Sequence, residues 1–128
     1  MAEHGSLITA LFTDSENAEH AYTSVAGRGY APADLRLLMT AETRERLLAA
    51  AVRRRDGAEA INALVTALVG AAIPAERARL YDAGVNAGGI VMGLTPSTRQ
   101  EAEQVEGAWS AVGGRQIVCP LLRQKDAA

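Results

Sequence analysis

The chain has 128 residues, enough for one domain with a buried core. Hydrophobic residues make up 48% and charged residues 22%, the balance of a soluble globular protein. A formal net charge of -2 provides no overall field that favours nucleic acid or an anionic membrane surface, so we expect neither as a partner. The single cysteine, Cys119, excludes an intramolecular disulfide and a cysteine-built zinc site.

The chain carries no pattern of a targeting or membrane-spanning segment. Its first residues lack the basic and apolar regions of a signal peptide. The longest apolar-rich window runs over 58–73, contains Glu59, Asn62 and Thr66, and stops at Pro74. A membrane span needs about 20 apolar residues, so we expect no stable membrane insertion and a cytoplasmic location.

The first part of the chain predicts a strand, a helix and a second strand. The apolar run 7–12 is typical of a buried strand. Thr13 and Glu16 offer a capping box for a helix that ends at Gly27. The buried stripe of that helix is expected to consist of Ala18, Ala21, Tyr22 and Val25. A second strand follows over 34–39.

A helical insert is predicted over about 41–72, with Thr40 as its cap. Its first helix has an apolar side formed by Leu47, Leu48, Ala51 and Val52. Asp56-Gly57 permits either one bent helix or two separate ones. A more apolar helix follows, with Ile61, Leu64, Val65, Leu68 and Val69.

The segment after the insert predicts a short amphipathic helix and a third strand. Pro74 is typical of a first helical residue. Ala78, Tyr81 and Val85 recur at helical spacing, Gly88-Gly89 ends the helix, and a strand covers 90–94.

The last αβ unit is predicted in the same way. Ser97 and Gln100 suggest a capping box, and Gly113-Gly114 a helix stop. The helix stripe consists of Ala102, Val105, Trp109 and Val112. A fourth strand is expected over 116–122, followed by a frayed tail at 123–128.

This order of elements predicts one α+β domain over 1–128 with a ferredoxin-like, four-stranded antiparallel sheet in the order 4-1-3-2. Pro120 in strand four and Arg36 in strand two suit edge strands, whereas the central strands carry no charge. Both faces of strand one are apolar, so we expect the insert or a partner chain to cover the face away from the main helices.

Three stretches of the chain resemble the bacterial general stress proteins of the heat-induced stress protein (YflT-type) family. They are LITALFTDSENAEHAYTSVAGRGY with DLRLLMTAETRER, then LVGAAIPAERARLYDAGVNAGGIVMGL, and the terminal αβ unit. Relatives often carry a long Gly/Ala-rich apolar insert, of which this chain has only a compact stretch at 61–72. The resemblance implies a stress-linked cytoplasmic protein and supplies no catalytic residues.

The sequence contains few residues that suggest chemistry. Glu16 and His20 share a helix side, but no further ligand is at hand, so a solvated face is the simpler interpretation and no metal or cofactor is expected. Cys119 without an adjacent base is typical of a small buried hydrophobe. Arg53 to Arg55 suit the dipole of a helix end. No catalytic residue is therefore assigned.

Two functional hypotheses remain. In the first, the protein is a non-enzymatic module that forms a homodimer or binds a protein partner through the insert, with an interface at Ile61, Leu64, Val65 and Leu68. In the second, a small molecule binds between the sheet and the insert in a sensory or catalytic site. The residues expected to line that site are Thr9, Tyr22, Met39, Tyr81, Met92 and Gly93.

Overall fold

A four-stranded antiparallel sheet runs through the protein, and helices pack on both of its faces. The structure is a computed structural model that describes residues 7–31, 34–53, 64–65, 67 and 73–120. The elements are β1 (Ile8–Phe12), α1 (Ser15–Ala26), β2 (Arg36–Leu38), α2 (Ala41–Arg53), α3 (Ala75–Ala78), a 3-10 turn (Arg79–Tyr81), α4 (Asp82–Asn86), β3 (Ile90–Leu94), α5 (Arg99–Ala111) and β4 (Arg115–Val118). Within the insert, Leu64, Val65 and Ala67 are also helical.

The strands lie in the order β2-β3-β1-β4, which is the expected 4-1-3-2 order read from the opposite edge. The two uncharged strands are central and pair from Ile8 with Leu94 to Phe12 with Ile90. Every residue of both strands is buried. The α+β class and the antiparallel sheet are therefore confirmed. Positions 54–63 and the tail 123–128 lie outside the described residues. The choice between one bent insert helix and two separate ones depends on those positions and stays open.

The helix caps differ from those predicted by one residue in two cases. Asp14, not Thr13, caps α1 by accepting a hydrogen bond from the Asn17 amide at 2.9 Å. Thr98, not Ser97, caps α5 and accepts from the Glu101 amide at 3.1 Å. Neighbouring Ser, Thr and Asp residues are all good caps, so pattern alone cannot rank them. The predicted cap of α2 is confirmed, because Thr40 accepts from the Thr43 amide.

Two predictions about proline were wrong. Pro74 has extended backbone angles and precedes α3 instead of forming its first residue. Pro120 lies beyond β4, which ends at Val118, so it cannot be what marks that strand as an edge.

The predicted glycine stops do occur: Gly88 and Gly113 adopt φ values of 103° and 91°, which only glycine reaches without strain.

The first face of the sheet carries the larger core. Side chains of Ile8, Ala10 and Phe12 pack against the predicted stripes of α1 and α5. Trp109 lies at the centre: its ring meets Phe12 edge-on, with centroids 5.7 Å apart. Its indole N–H also donates to the carbonyl of Ala21 at 3.3 Å.

The segment from Ile73 to Val85 covers the second face, where we expected the insert or a partner chain. Tyr81 and Val85 pack there on Leu11 and Val91. The described buried insert residues, Leu47, Leu64 and Ala67, instead join the first-face core. Helical spacing correctly placed Ala78, Tyr81 and Val85 on one side of the segment from Ile73 to Val85. The sheet face that this side covers was not predicted.

Two glycines allow the segment that covers the second face, which we call the second-face cover, to lie close to β1. A Cβ on Gly89 would lie 2.9 Å from the carbonyl oxygen of Gly84 and 3.1 Å from that of Phe12, closer than real Cβ atoms normally approach. A Cβ on Gly84 would collide with the end of the Leu11 side chain. Glycine at both positions therefore sets the distance between α4 and the sheet.

A polar pair anchors the start of α5 and predicts a response of stability to pH. The Tyr30 hydroxyl donates to the Glu101 carboxylate at 2.8 Å, and the Ser97 amide donates to the same oxygen at 3.2 Å. These bonds hold the pKa of Glu101 below its usual value of 4.5. Burial, with the neighbouring carboxylate, raises the pKa of Tyr30 from 10.0 to about 12.

We therefore expect the free energy of unfolding to fall at both ends of the pH range. A lowered carboxyl pKa contributes stability above 4.5, which is lost as the pH falls through the folded-state value. A raised tyrosine pKa contributes stability below 10.0, which is lost as the pH rises towards about 12. Urea titrations across this range test both limbs. Glu101→Gln should flatten the acid limb and Tyr30→Phe the alkaline one; unchanged slopes would contradict the assignment.

Candidate functional site

The six residues expected to bind a small molecule do not come together. Thr9, Tyr81 and Gly93 meet on the second face, where Gly93 is the register partner of Thr9. Met92 belongs to the first-face core, and Tyr22 and Met39 pack against that same core. The sheet therefore separates the set into two groups of three.

On the second face, Thr9 and Tyr81 belong to a chain of hydrogen bonds. The Tyr81 hydroxyl has one proton, and its shortest contact, 2.6 Å, is to the carbonyl oxygen of Gln116. It then accepts from the Thr9 hydroxyl at 2.9 Å. Arg77 donates from Nη1 to the Thr9 hydroxyl oxygen at 3.1 Å and to the Leu7 carbonyl oxygen at 2.6 Å. These hydrogen bonds link the second-face cover to β1 and β4.

Burial explains the electrostatics of this chain. Removal from water raises the pKa of the Tyr81 hydroxyl, an effect that the Thr9 hydrogen bond and the Arg77 charge oppose in part. Burial also lowers the pKa of the Arg77 guanidinium, whereas the nearby Tyr81 and Glu76 favour its charged form. A neutral tyrosine that donates to a main-chain carbonyl is suited to holding structure, not to moving protons at neutral pH.

The space that Gly93 was expected to leave above the sheet is filled. A Cβ at Gly93 would lie 2.9 Å from Cδ1 of Ile73 and 3.3 Å from both Leu7 and Thr9 side chains. The region around Gly93 is therefore packed core. Cys119 is also buried, as the sequence suggested for a small hydrophobe, but it belongs to the first-face core.

Two shallow grooves lie instead at the end of the sheet that contains the C-terminus of β1 and the N-terminus of β3. One, of about 190 Å³, is lined by Thr13, Asp14, Ser15, Thr43, Arg46, Leu47, Ala87 and Gly88. The other, of about 200 Å³, is lined by Leu11, Thr13, Gly84, Ala87, Gly89 and Arg115. Each is smaller than the roughly 300 Å³ at which pockets for drug-sized ligands begin.

Among the described residues, Leu48 and Val52 form an exposed apolar stripe on α2. These side chains lie one helical turn apart and are 37% and 75% exposed. The sequence placed both on an inward apolar side with Leu47 and Ala51. Successive helix positions differ by about 100°, so only one residue of each adjacent pair faces the core fully. Leu47 does, and Leu48 and Val52 face solvent.

The predicted interface residues occupy other places. Leu64 is buried in the first-face core, and Val65 is half-buried against it. Ile61 and Leu68 lie outside the described residues. Leu64 therefore stabilises the interior, and the exposed apolar surface of the described insert belongs to its first helix.

The edge strands offer little opportunity for strand addition. β2 has three residues. In β4 the register shifts opposite Thr9 and Leu11, and Gln116 adopts a φ of 50°. Its carbonyl is held by Tyr81 and its side-chain amide donates to Leu80 at 3.1 Å. A bulge and a very short strand are common ways to discourage edge-to-edge pairing.

Within the described ranges, no three His, Cys, Asp or Glu residues gather where they could hold a metal ion. The helices of that same part of the chain include none with the length and apolar character needed to cross a bilayer.

No family model matches the chain, and no match is found among curated proteins or solved structures. The resemblance to the stress-protein family therefore stays a prediction from the motifs that suggested it.

Proposed function

We propose that this protein is a non-catalytic association module that binds a protein partner, or another copy of itself, through the α2 stripe. The observation that carries the proposal is the exposure of two large apolar side chains on one helical turn of α2. Exposed apolar side chains that lie next to one another are typical of interaction surfaces. The blunted sheet edges support a helix face over a strand as the contact.

The biological setting is part of the same proposal. The family resemblance suggests a stress-linked role in the cytoplasm, and the order of strands and helices supports a ferredoxin-like classification. Such a classification is compatible with many functions, so the stripe and not the fold is what points to association. No cofactor, metal or catalysis is assigned.

Site-specific photo-cross-linking in the native host tests the proposal. A photoreactive phenylalanine analogue at position 52 should form protein adducts. The matched control is position 80, because Leu80 is also exposed, at 53%, but lies on the second-face cover. Adducts at position 52 that disappear with an added Leu48→Glu change are the expected result. Equal labelling at both positions, or none at position 52, would remove the proposal.

A further inference from the structure

We infer that the second-face cover opens as a unit while the first-face core stays folded, so that the protein holds a concealed apolar surface on β1 and β3. This inference does not depend on the α2 stripe. It starts from the separation of the two cores by the sheet. The buried cover residues, Ile73, Tyr81 and Val85, pack with Leu11 and Val91. Among the described residues, the first-face core contains none from the cover, so the cover can leave without disturbing it.

The cover has little helical stability of its own. It contains α3, the 3-10 turn and most of α4, elements of four, three and five residues. Within this described segment, no side chain caps any of the three N-termini, and α3 has no buried residue. Helices shorter than about 12 residues are marginal in water, so the cover keeps its shape only while it packs on the sheet. Loss of contact with the sheet and loss of helical structure should therefore occur together.

Hydrogen bonds fasten the cover to the sheet, and water can replace them when it opens. The Arg77 guanidinium donates to the Leu7 carbonyl and the Thr9 hydroxyl. A hydrogen bond that is exchanged for one to water contributes only a small net free energy. Burial lowers the pKa of Arg77, because the closed form withholds water from its charge, and opening restores that hydration. These bonds therefore fix the closed position without making it costly to leave.

Gly88 supplies a hinge between the cover and the sheet. It lies between α4, which ends at Asn86, and β3, which begins at Ile90. Its φ of 103° lies in the region open to glycine, and a glycine can absorb further changes in backbone angles at little cost. β3 itself need not move, because it is paired with β1 and β2.

Opening would uncover the second face of the two central strands. Leu11 is 6% and Val91 0% exposed while the cover is closed. The pairing of β1 with β3 is made within the sheet, and α1 and α5 still cover its first face. The open form therefore keeps a folded sheet and exposes apolar side chains on one side of it.

Thiol labelling at two matched valines tests the inference. Val91 on the second face and Val105 on the first are both 0% exposed. In a Cys119→Ala background, Val91→Cys should react with a small disulfide reagent when the cover opens, whereas Val105→Cys should react only through complete unfolding. We expect Val91→Cys to react at least about 10-fold faster and with a weaker dependence on urea, because opening the cover exposes less surface than unfolding.

Urea unfolding of each variant, followed by circular dichroism, provides the scale on which the two labelling rates are compared. Equal rates with equal urea dependence would mean that the cover opens only when the whole protein unfolds. A Val91→Cys thiol that reacts as fast as a free thiol would mean that the second face is not covered. Either result, or a faster reaction at position 105, overturns the inference.

Hydrogen exchange provides a second measurement on a variant that keeps both valines. Trp109→Phe weakens the first-face core, which stays folded in the open form. It should therefore speed the exchange of α5 amides by about 5- to 150-fold and leave the amides of α3 and α4 at their wild-type rates. Acceleration of α3 and α4 by the same factor as α5 would show that the cover does not open independently.

Discussion

Replacing Trp109 with alanine should lower the free energy of unfolding by about 3–5 kcal/mol, one of the two largest effects that we expect of a single change. The side chain is buried at the centre of the first face, edge-on to Phe12. Its loss would leave a cavity between α1 and α5 and remove the hydrogen bond to Ala21. Both consequences act on the same core.

Trp109→Phe is the control that separates these contributions. It keeps an aromatic ring near Phe12 but removes the N–H, so we expect a loss of about 1–3 kcal/mol. Because Trp109 is the only tryptophan, urea unfolding should be followed by far-ultraviolet circular dichroism and not by fluorescence. An alanine variant within about 1 kcal/mol of the wild type would contradict the central position given to this ring.

Replacing Tyr81 should have an effect of similar size and should act on the opposite face. We expect Tyr81→Ala to cost about 3–5 kcal/mol, because the buried ring fills the space between the cover and β1. Tyr81→Phe keeps that volume and removes only the hydroxyl. It leaves the Gln116 carbonyl without its 2.6 Å donor, and the expected loss is about 1–3 kcal/mol.

Hydrogen exchange distinguishes a local from a global effect of the Tyr81 hydroxyl. In Tyr81→Phe, amides of β4 should exchange faster than those of β3, because the hydroxyl holds the bulge of the edge strand. The exposed change Leu80→Ala, one residue away, should leave both strands within about 0.5 kcal/mol of wild type. Uniform acceleration across the sheet, or none, would argue against this role of the hydroxyl.

The sequence was sufficient for the parts of the fold that depend on patterns within one element. β1 and β3 lie within a residue of their predicted ends because both are uncharged apolar runs bounded by polar residues or glycine. Three of the four predicted stripe residues of α1 and three of the four of α5 are buried; Tyr22 and Val112 are half-buried. Caps differed because adjacent residues such as Thr13 and Asp14 compete for one role.

The candidate site was harder because it depends on which elements meet. Tyr81 and Thr9 are distant in the sequence, and nothing in either segment specifies that they share a hydrogen bond. One signal was available and was missed: Met92 and Gly93 are consecutive in a strand, so their side chains must point to opposite faces. A single pocket could not contain both. The same logic applied to a helix shows that Leu48, next to the buried Leu47, cannot face the core as well, although the sequence analysis placed both on one apolar side.

The contact of Leu11 with Gly84 and Gly89 has a consequence for how this protein can change over evolution. The leucine occupies the room beside Gly84, so positions 11 and 84 share one fixed volume, whereas a Cβ at position 89 would also meet the main-chain oxygens of Gly84 and Phe12. A larger residue at position 84 becomes acceptable only together with a smaller one at position 11. In diverged relatives these positions should therefore vary jointly, and their covariation would identify the covered second face even where the surface sequence is no longer recognisable.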